Sequence, residues 1–284
     1  MSVLQVSVIL PLFGNHRAAQ ALPAVCRAWL KQDVPCEVVV AVAEGTKVPA
    51  LGDGAARGLI RIVSADRDLL SPGPLRNLAV AASRAPVLYL SDADVAPLGD
   101  FAGHALELLE DRAVIQPWMY RLVNPAEVAA GPPFELSSQT SVCHVSADPR
   151  GRLIPLNGER ITRLGRHLMY AEPPAGLGWR NEDGTPWRAF PFHWGGMMVR
   201  RETFDAVGGY CTRYVGWGCE DDDLIAKLDS RVGVVRAWKM PGRRLTCLHF
   251  EHPRSHTFAP FRANQEILAE RIAAGADAMI KADC

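Results

Sequence analysis

The chain has no surplus of charge: 31 Lys and Arg stand against 31 Asp and Glu, for a formal net charge of zero. That balance gives no argument for nucleic acid or an anionic membrane as partner, and none is expected. It also lacks paired cysteines. Its seven, at 26, 36, 143, 211, 219, 247 and 284, are odd in number and show no CxxC spacing. They describe neither a disulfide framework nor a zinc site, and reduced thiols predict a cytoplasmic protein. No run reaches the roughly twenty apolar residues that a membrane span needs. Residues 1–12 are apolar but lack a basic n-region and a small-residue cleavage site, so a signal peptide is not expected. Internal repeats and low-complexity tracts are missing too. What remains is 284 residues, 48% hydrophobic, enough for a sizeable core in one large domain or two fused halves.

The first hundred residues alternate between two periodicities. Val6-Ser7-Val8-Ile9-Leu10 reads as a buried strand, as do residues 36–42, 59–63 and 86–90. Between them lie a helix over 16–31, capped by Asn15, and another opened by Ser71-Pro72-Gly73-Pro74 and running to Ser83. Continuous apolar strands separated by helices predict an α/β fold, a parallel sheet covered on both faces. Ligands on such sheets bind at the carboxyl ends of strands. Those ends carry Pro11-Leu12-Phe13-Gly14-Asn15, then Asp66 and Asp68, then Ser91-Asp92-Ala93-Asp94. Two carboxylates two residues apart after a buried strand suit a hard divalent cation that also binds phosphate oxygens.

The most unusual stretch is Gly216-Trp217-Gly218-Cys219-Glu220-Asp221-Asp222-Asp223. Four consecutive carboxylates raise one another's pKa unless they are exposed, paired or used. Glycine allows close backbone approach, and tryptophan offers a flat apolar face. The acids also suit a helix N-terminus. Both readings are retained: the acids open a helix, and one of them faces a substrate. A second glycine pair, Gly195-Gly196, precedes a short strand at 197–199 and a helical turn over 201–207. It either lets a ligand approach the backbone closely or makes a bulge or tight bend.

The order of these motifs resembles the GT-A glycosyltransferases: Pro-Leu-Phe after a strand, Arg76-Asn77 on a helix, Asp92-Ala93-Asp94, then Gly-Trp-Gly-x-Glu-Asp-Asp-Asp. The last block is similar to that of β-1,4-galactosyltransferases. It also resembles the segment these share with polypeptide N-acetylgalactosaminyltransferases and bacterial chondroitin-type polymerases. The resemblance covers residues 5–98 and 190–258. It implies a GT-A fold with a Rossmann-like nucleotide-binding half and a mixed, mostly parallel central sheet with helices on both faces. A single domain of four parts is expected: 1–98 for the nucleotide sugar, 99–189 as a connecting and acceptor or lid region, 190–258 for acceptor and catalysis, and 259–284 as a C-terminal helix.

The resemblance also implies roles. Pro11, Leu12 and Phe13 would cradle uracil, with Asp66 and Arg76 on the nucleotide side. Asp92, beside Ala93, would contact ribose or metal-bound water, and Asp94 would hold the metal. Asp221 would be the general base, with Glu220 and Asp222 binding acceptor. Trp217 and Gly218 would line the sugar junction, and Gly195 and Gly196 would run beneath the donor sugar. His249 and His252, in Cys247-Leu248-His249-Phe250-Glu251-His252, are further metal ligands to choose between. His193 either orients acceptor or diphosphate, or packs. Manganese, with magnesium as alternative, would serve as cofactor. The implied reaction is inverting transfer from a nucleotide sugar, UDP-linked, to a hydroxyl of a glycan, small-molecule or lipid-linked acceptor. Cys219, where galactosyltransferases carry glycine, leaves the sugar open.

Between these motifs, residues 158–172 are expected to form a short helix. Trp179, Trp187 and Arg188 are expected in a lid. The tail over 260–277 is expected to be a surface helix turning Phe261, Ile267, Leu268 and Ile272 inward. Three other functions stay open: a retaining N-acetylgalactosaminyltransferase-like enzyme, a non-catalytic nucleotide-sugar or glycan-binding module, and a sugar nucleotidyltransferase. Against the last, Leu12-Phe13-Gly14-Asn15-His16 is not a Gly-rich, lysine- or arginine-bearing loop.

Overall fold

The computed structural model describes residues 3–14, 18–65, 71–123, 144–147, 153–156, 168–170, 192–241, 245–250 and 258–284. Strands β1 (Val6–Leu12) and β2 (Cys36–Val42) are buried along their whole length, and their sequences are apolar apart from Ser7 and Glu37. Helix α1 (Ala18–Leu30) connects them, and α2 (Asp53–Ala56) precedes β3 (Ile60–Ser64). Helix α3 (Pro72–Ala82) begins with proline in its first turn, where the missing N–H costs nothing. It leads into β4 (Val87–Leu90), then β5 (Val95–Leu98), α4 (Phe101–Leu109), β6 (Ala113–Ile115) and β7 (Trp118–Val123). Short strands β8 (His144–Ala147), β9 (Leu153–Leu156) and β10 (Leu168–Tyr170) follow. The second half holds β11 (Met197–Arg200), α5 (Arg201–Ala206), α6 (Glu220–Asp229), β12 (Val234–Arg236) and β13 (Thr246–Phe250). Helices α7 (Phe258–Ala274) and α8 (Ala276–Asp283) complete it.

Seven strands form the main sheet in the order β12-β6-β11-β4-β1-β2-β3. Its pairs are parallel except for β11, which runs antiparallel to both β4 and β6. The sheet is therefore mixed and mostly parallel, as expected. A second sheet has the order β10-β7-β13-β5, and β8 and β9 form a separate antiparallel pair. One apolar cluster lies on each face of the main sheet's central strands: Val8, Leu10, Val38 and Val40 point one way, and Ile9, Val39 and Ala41 the other. On the first face Trp29 packs against Tyr89 and Phe101 with ring centroids 4.7 and 5.6 Å away.

A buried carboxylate, Glu37, sits in β2 and is fully satisfied. It accepts from Ser7 Oγ at 2.7 Å and from the Arg84 backbone N–H and guanidinium. No helix among the described residues is long and apolar enough to cross a membrane.

The structure corrects two local expectations. Residues 168–170 form a strand paired antiparallel with β7, not part of a helix; cross-strand pairing decides a segment whose own periodicity is weak. Ile272 is 50% exposed and does not face the body, whereas Asn264 and Arg271 of the same helix are buried. Trp179, Trp187 and Arg188 of the expected lid lie outside the described residues.

Candidate active site

The chain leaves the main sheet at Leu90 and enters the second sheet at Val95, so Ser91-Asp92-Ala93-Asp94 forms the joint between the two. The Val95 N–H donates to the Asp92 carbonyl at 3.3 Å, which tightens the turn. In the second sheet β5 pairs antiparallel with β13, with Val95 opposite His249. The Phe250 N–H donates to the Asp94 carbonyl at 2.9 Å. This register sets His249 Nε2 3.5 Å from Asp94 Oδ2. Two adjacent donor atoms of an octahedral ion at about 2.1 Å lie roughly 3.0 Å apart, so a small side-chain adjustment would let both meet one ion. The pair therefore fits a divalent cation as far as protein ligands go, with further positions left for ligand oxygens. No group of three or more His, Cys, Asp or Glu side chains suited to a metal occurs among the described residues.

Asp92 is placed differently. Its Oδ1 accepts from Arg76 Nη2 at 2.6 Å, and its Oδ2 lies 3.0 Å from His193 Nε2. Both oxygens are engaged within the protein. Burial pushes its pKa up, but the His193 hydrogen bond and the Arg76 charge outweigh this and hold it below the usual carboxylate range.

Arg76 is the centre of the cluster. It reaches from α3 and is fully buried. Besides Asp92 it donates from Nη1 to Asp221 Oδ1 at 3.2 Å, lies 3.7 Å from Glu220 Oε1, and stands over the Tyr210 ring at 5.2 Å. Its charge is thus shared between Asp92 and Asp221, with Glu220 close by.

The acidic block does open a helix, and its four acids fan out around the first turn of α6. Glu220 is buried, and its Oε2 has no hydrogen-bond partner. Burial and the neighbouring Asp221 push its pKa up to about 8. The structure thus puts this expected acceptor contact under the surface. Asp221 Oδ1 takes hydrogen bonds from both Arg76 and Tyr210, the latter at 3.1 Å, and its side chain is 15% exposed. Burial also raises Asp221, against the lowering pull of Arg76. Asp222 accepts from Trp194 Nε1 at 3.1 Å, and burial with the Asp221 charge lifts it to about 6. Asp223 turns inward. It meets Arg271, Lys227 and the Tyr214 hydroxyl, and belongs to the core.

The glycines around the site have steric reasons. A Cβ on Gly195 would stand 2.7 Å from Asp221 Oδ2, and one on Gly196 would stand 2.6 Å from His193 Nδ1. Gly216 (φ 70°) and Gly218 (φ 102°) occupy left-handed backbone, and so does Cys219 (φ 74°), which caps α6. Trp217 packs its ring 5.4 Å from Phe261. Pro11 and Leu12 are buried at the end of β1, and Phe13 packs partly against the core. Asp66 and His252 lie outside the described residues. Tyr210, Trp194 and Asn264 were not assigned a site role from sequence, and Ser71 was read only as the start of a helix.

Residues 189–253 match the family model described as the N-terminal domain of galactosyltransferase. The comparison with curated proteins found no match. Among solved structures, S. aureus TarS (residues 1–349) in complex with UDP aligns over 96% of this chain and 66% of its own, at 14% identity and a TM-score of 0.52. The same protein in complex with UDP-GlcNAc gives 13% identity and a TM-score of 0.53. GalNAc-T7 with UDP, GalNAc and Mn2+ aligns over 94% of this chain at 14% identity and a TM-score of 0.53. The chain spans 66% of the length of that TarS chain and 48% of that of GalNAc-T7. The chain has the GT-A fold, and within it residues 189–253 are similar to the galactosyltransferase family model.

Proposed function

We propose that the chain is a metal-dependent glycosyltransferase that moves a sugar from a nucleotide sugar, UDP-linked, to an acceptor hydroxyl with inversion. One observation carries this reading. Asp221 and Asp92 grip the same buried guanidinium, so the carboxylate of the glycine-tryptophan block and the strand-end acidic turn form one unit. Asp94 and His249 would hold the cation. The bound cation supplies positive charge where the diphosphate leaves. The solved relatives support the donor class: TarS is described with UDP and UDP-GlcNAc, and GalNAc-T7 with UDP and Mn2+.

The chain's own residues then divide the work. Arg76 and Tyr210 both bind Oδ1 of Asp221, which fixes the carboxylate plane and leaves Oδ2 to accept the proton of an acceptor hydroxyl. Burial strengthens Asp221 as a base, and the Arg76 charge works against that shift. Asp222 and Trp194, hydrogen-bonded to each other, and the face of Trp217 provide polar and apolar contacts for a sugar ring. Phe13 at the end of β1 provides an apolar contact for the base of the nucleotide.

A panel of UDP- and GDP-sugars, with and without Mn2+, should raise the melting temperature for the true donor. Transfer from that donor is then compared in wild type and Asp221→Asn. The variant should fold and keep its UDP–Mn2+ stabilisation while turnover falls by about 100-fold or more. Near-normal turnover would remove Asp221 from the mechanism. The anomeric configuration of the product, read by NMR, separates inversion from retention.

A further inference from the structure

The loop bearing Trp217 is held by two residues that lie outside the family segment 189–253. Asn264, in the middle of α7, is 1% exposed. Its Nδ2 donates to the carbonyls of Val215 (3.0 Å), Trp217 (3.3 Å) and Gly218 (3.0 Å), and its Oδ1 accepts from the Val215 N–H at 3.2 Å. Three carbonyls converging on one atom fix that atom as the NH2 group. On the other side Ser71 stands at the start of α3. Its hydroxyl makes no cap bond to its own helix and instead accepts from the Gly216 N–H at 2.9 Å. Serine at that position ordinarily caps the helix it precedes. Here it serves a segment 145 residues away.

These bonds fix one backbone shape among those the glycines allow. Gly216 and Gly218 lie in left-handed space, which glycine adopts freely, and Cys219 lies there at a cost. Helix α7 is also moulded to the loop. A Cβ on Gly218 would stand 2.5 Å from the Phe261 ring, and one on Gly216 would stand 3.4 Å from Pro260. The donor-side groups Phe13, Asp94 and His249 share no hydrogen bond with this clamp among those described.

We infer that Asn264, assisted by Ser71, is the positioning residue of the acceptor platform: it sets the Gly216–Gly218 backbone and so the presentation of the Trp217 face to an acceptor sugar. The inference rests on the acceptor-side reading of Trp217 given above. On that reading, loss of the clamp weakens acceptor recognition and leaves donor binding as it was.

The test uses the full chain and three variants, Asn264→Ala, Asn264→Leu and Ser71→Ala. Leu refills the volume of Asn264 without its hydrogen bonds. Ser71→Ala removes a single bond and is the mild case. Hydrogen exchange is followed over residues 213–219 and over the control strand Cys36–Val42. Both Asn264 variants should speed exchange in the loop by roughly 10-fold or more, and Ser71→Ala by less, with the control strand unchanged. The UDP–Mn2+ thermal shift should match wild type. With the donor found above and p-nitrophenyl β-glycosides of glucose, galactose and N-acetylglucosamine as acceptor probes, acceptor KM should rise about 10-fold while donor KM stays within about twofold.

Unchanged loop protection in both Asn264 variants would overturn the clamp. Wild-type behaviour of Asn264→Leu would reduce the residue to packing. Donor and acceptor KM moving in step would overturn the acceptor assignment. If wild type transfers sugar to no probe, the acceptor reading of Trp217 falls, and the exchange data still decide whether Asn264 and Ser71 hold the loop.

Discussion

Individual carboxylates in the block 220–223 have separate fates, each set by its partners. Glu220 is 3% exposed with one unpartnered oxygen, and its pKa is pushed up to about 8. The sign of its effect on stability follows. A carboxyl raised on folding keeps its proton in the native chain where the unfolded chain has lost it. Its contribution is complete below the unfolded value and is lost as pH rises toward 8. Glu220→Gln mimics the protonated form, so its melting temperature should exceed wild type by more at pH 8 than at pH 5. An equal difference at both values would contradict the assignment. Gly195 offers a second residue-scale test. Its φ is not in left-handed space, so alanine is tolerated by the backbone, yet the new Cβ would press on Asp221 Oδ2. Gly195→Ala should leave urea stability nearly unchanged and cut turnover about 10-fold or more, since small misplacements of reacting groups are costly.

Secondary-structure elements show what sequence could and could not reveal. The run Cys-Glu-Val-Val-Val-Ala-Val reads as a strand because its apolar run is local, and β2 covers that same segment. Asp92 and Asp94 were legible because they follow a buried strand directly. The acidic block was legible as a helix start, but not the direction in which each acid points. Asp223 resembles its neighbours in sequence, yet it is a core residue, fixed by Arg271 from 48 positions away. Arg76 was visible as a cation; that it would serve Asp221 across 145 residues was not. One signal was available in α7: Asn264 and Arg271 fall on the helical stripe of Phe261 and Leu268, so polar side chains were directed inward with apolar ones.

That stripe joins α6, α7 and α8 through a balanced set of charges. Asp223 and Asp283 face Lys227 and Arg271, and Lys227 Nζ also donates to the Gly209 carbonyl at 2.6 Å. Breaking one member of a buried set leaves an uncompensated charge. Lys227→Met should therefore lower the unfolding free energy by about 3 kcal/mol or more in urea denaturation. A loss under about 1 kcal/mol would show that the set relaxes without it.

At the level of the whole molecule, two sheets meet at the acidic turn. The larger supplies β4, and the smaller supplies the antiparallel neighbours β5 and β13 that bring Asp94 beside His249. On the proposed function, Asp94→Asn and His249→Ala should each abolish most of the Mn2+-dependent part of the UDP thermal shift. Chelation with EDTA should do the same to wild type. A shift that survives both variants would place the cation elsewhere.

The turn over residues 91–94 has a mechanical consequence. Those four residues carry the main chain from one layer to the next, so a ligand gripping Asp94 would fasten the layers against sliding. On the proposed function, the stiffness of that joint would then differ between the empty and the donor-bound protein.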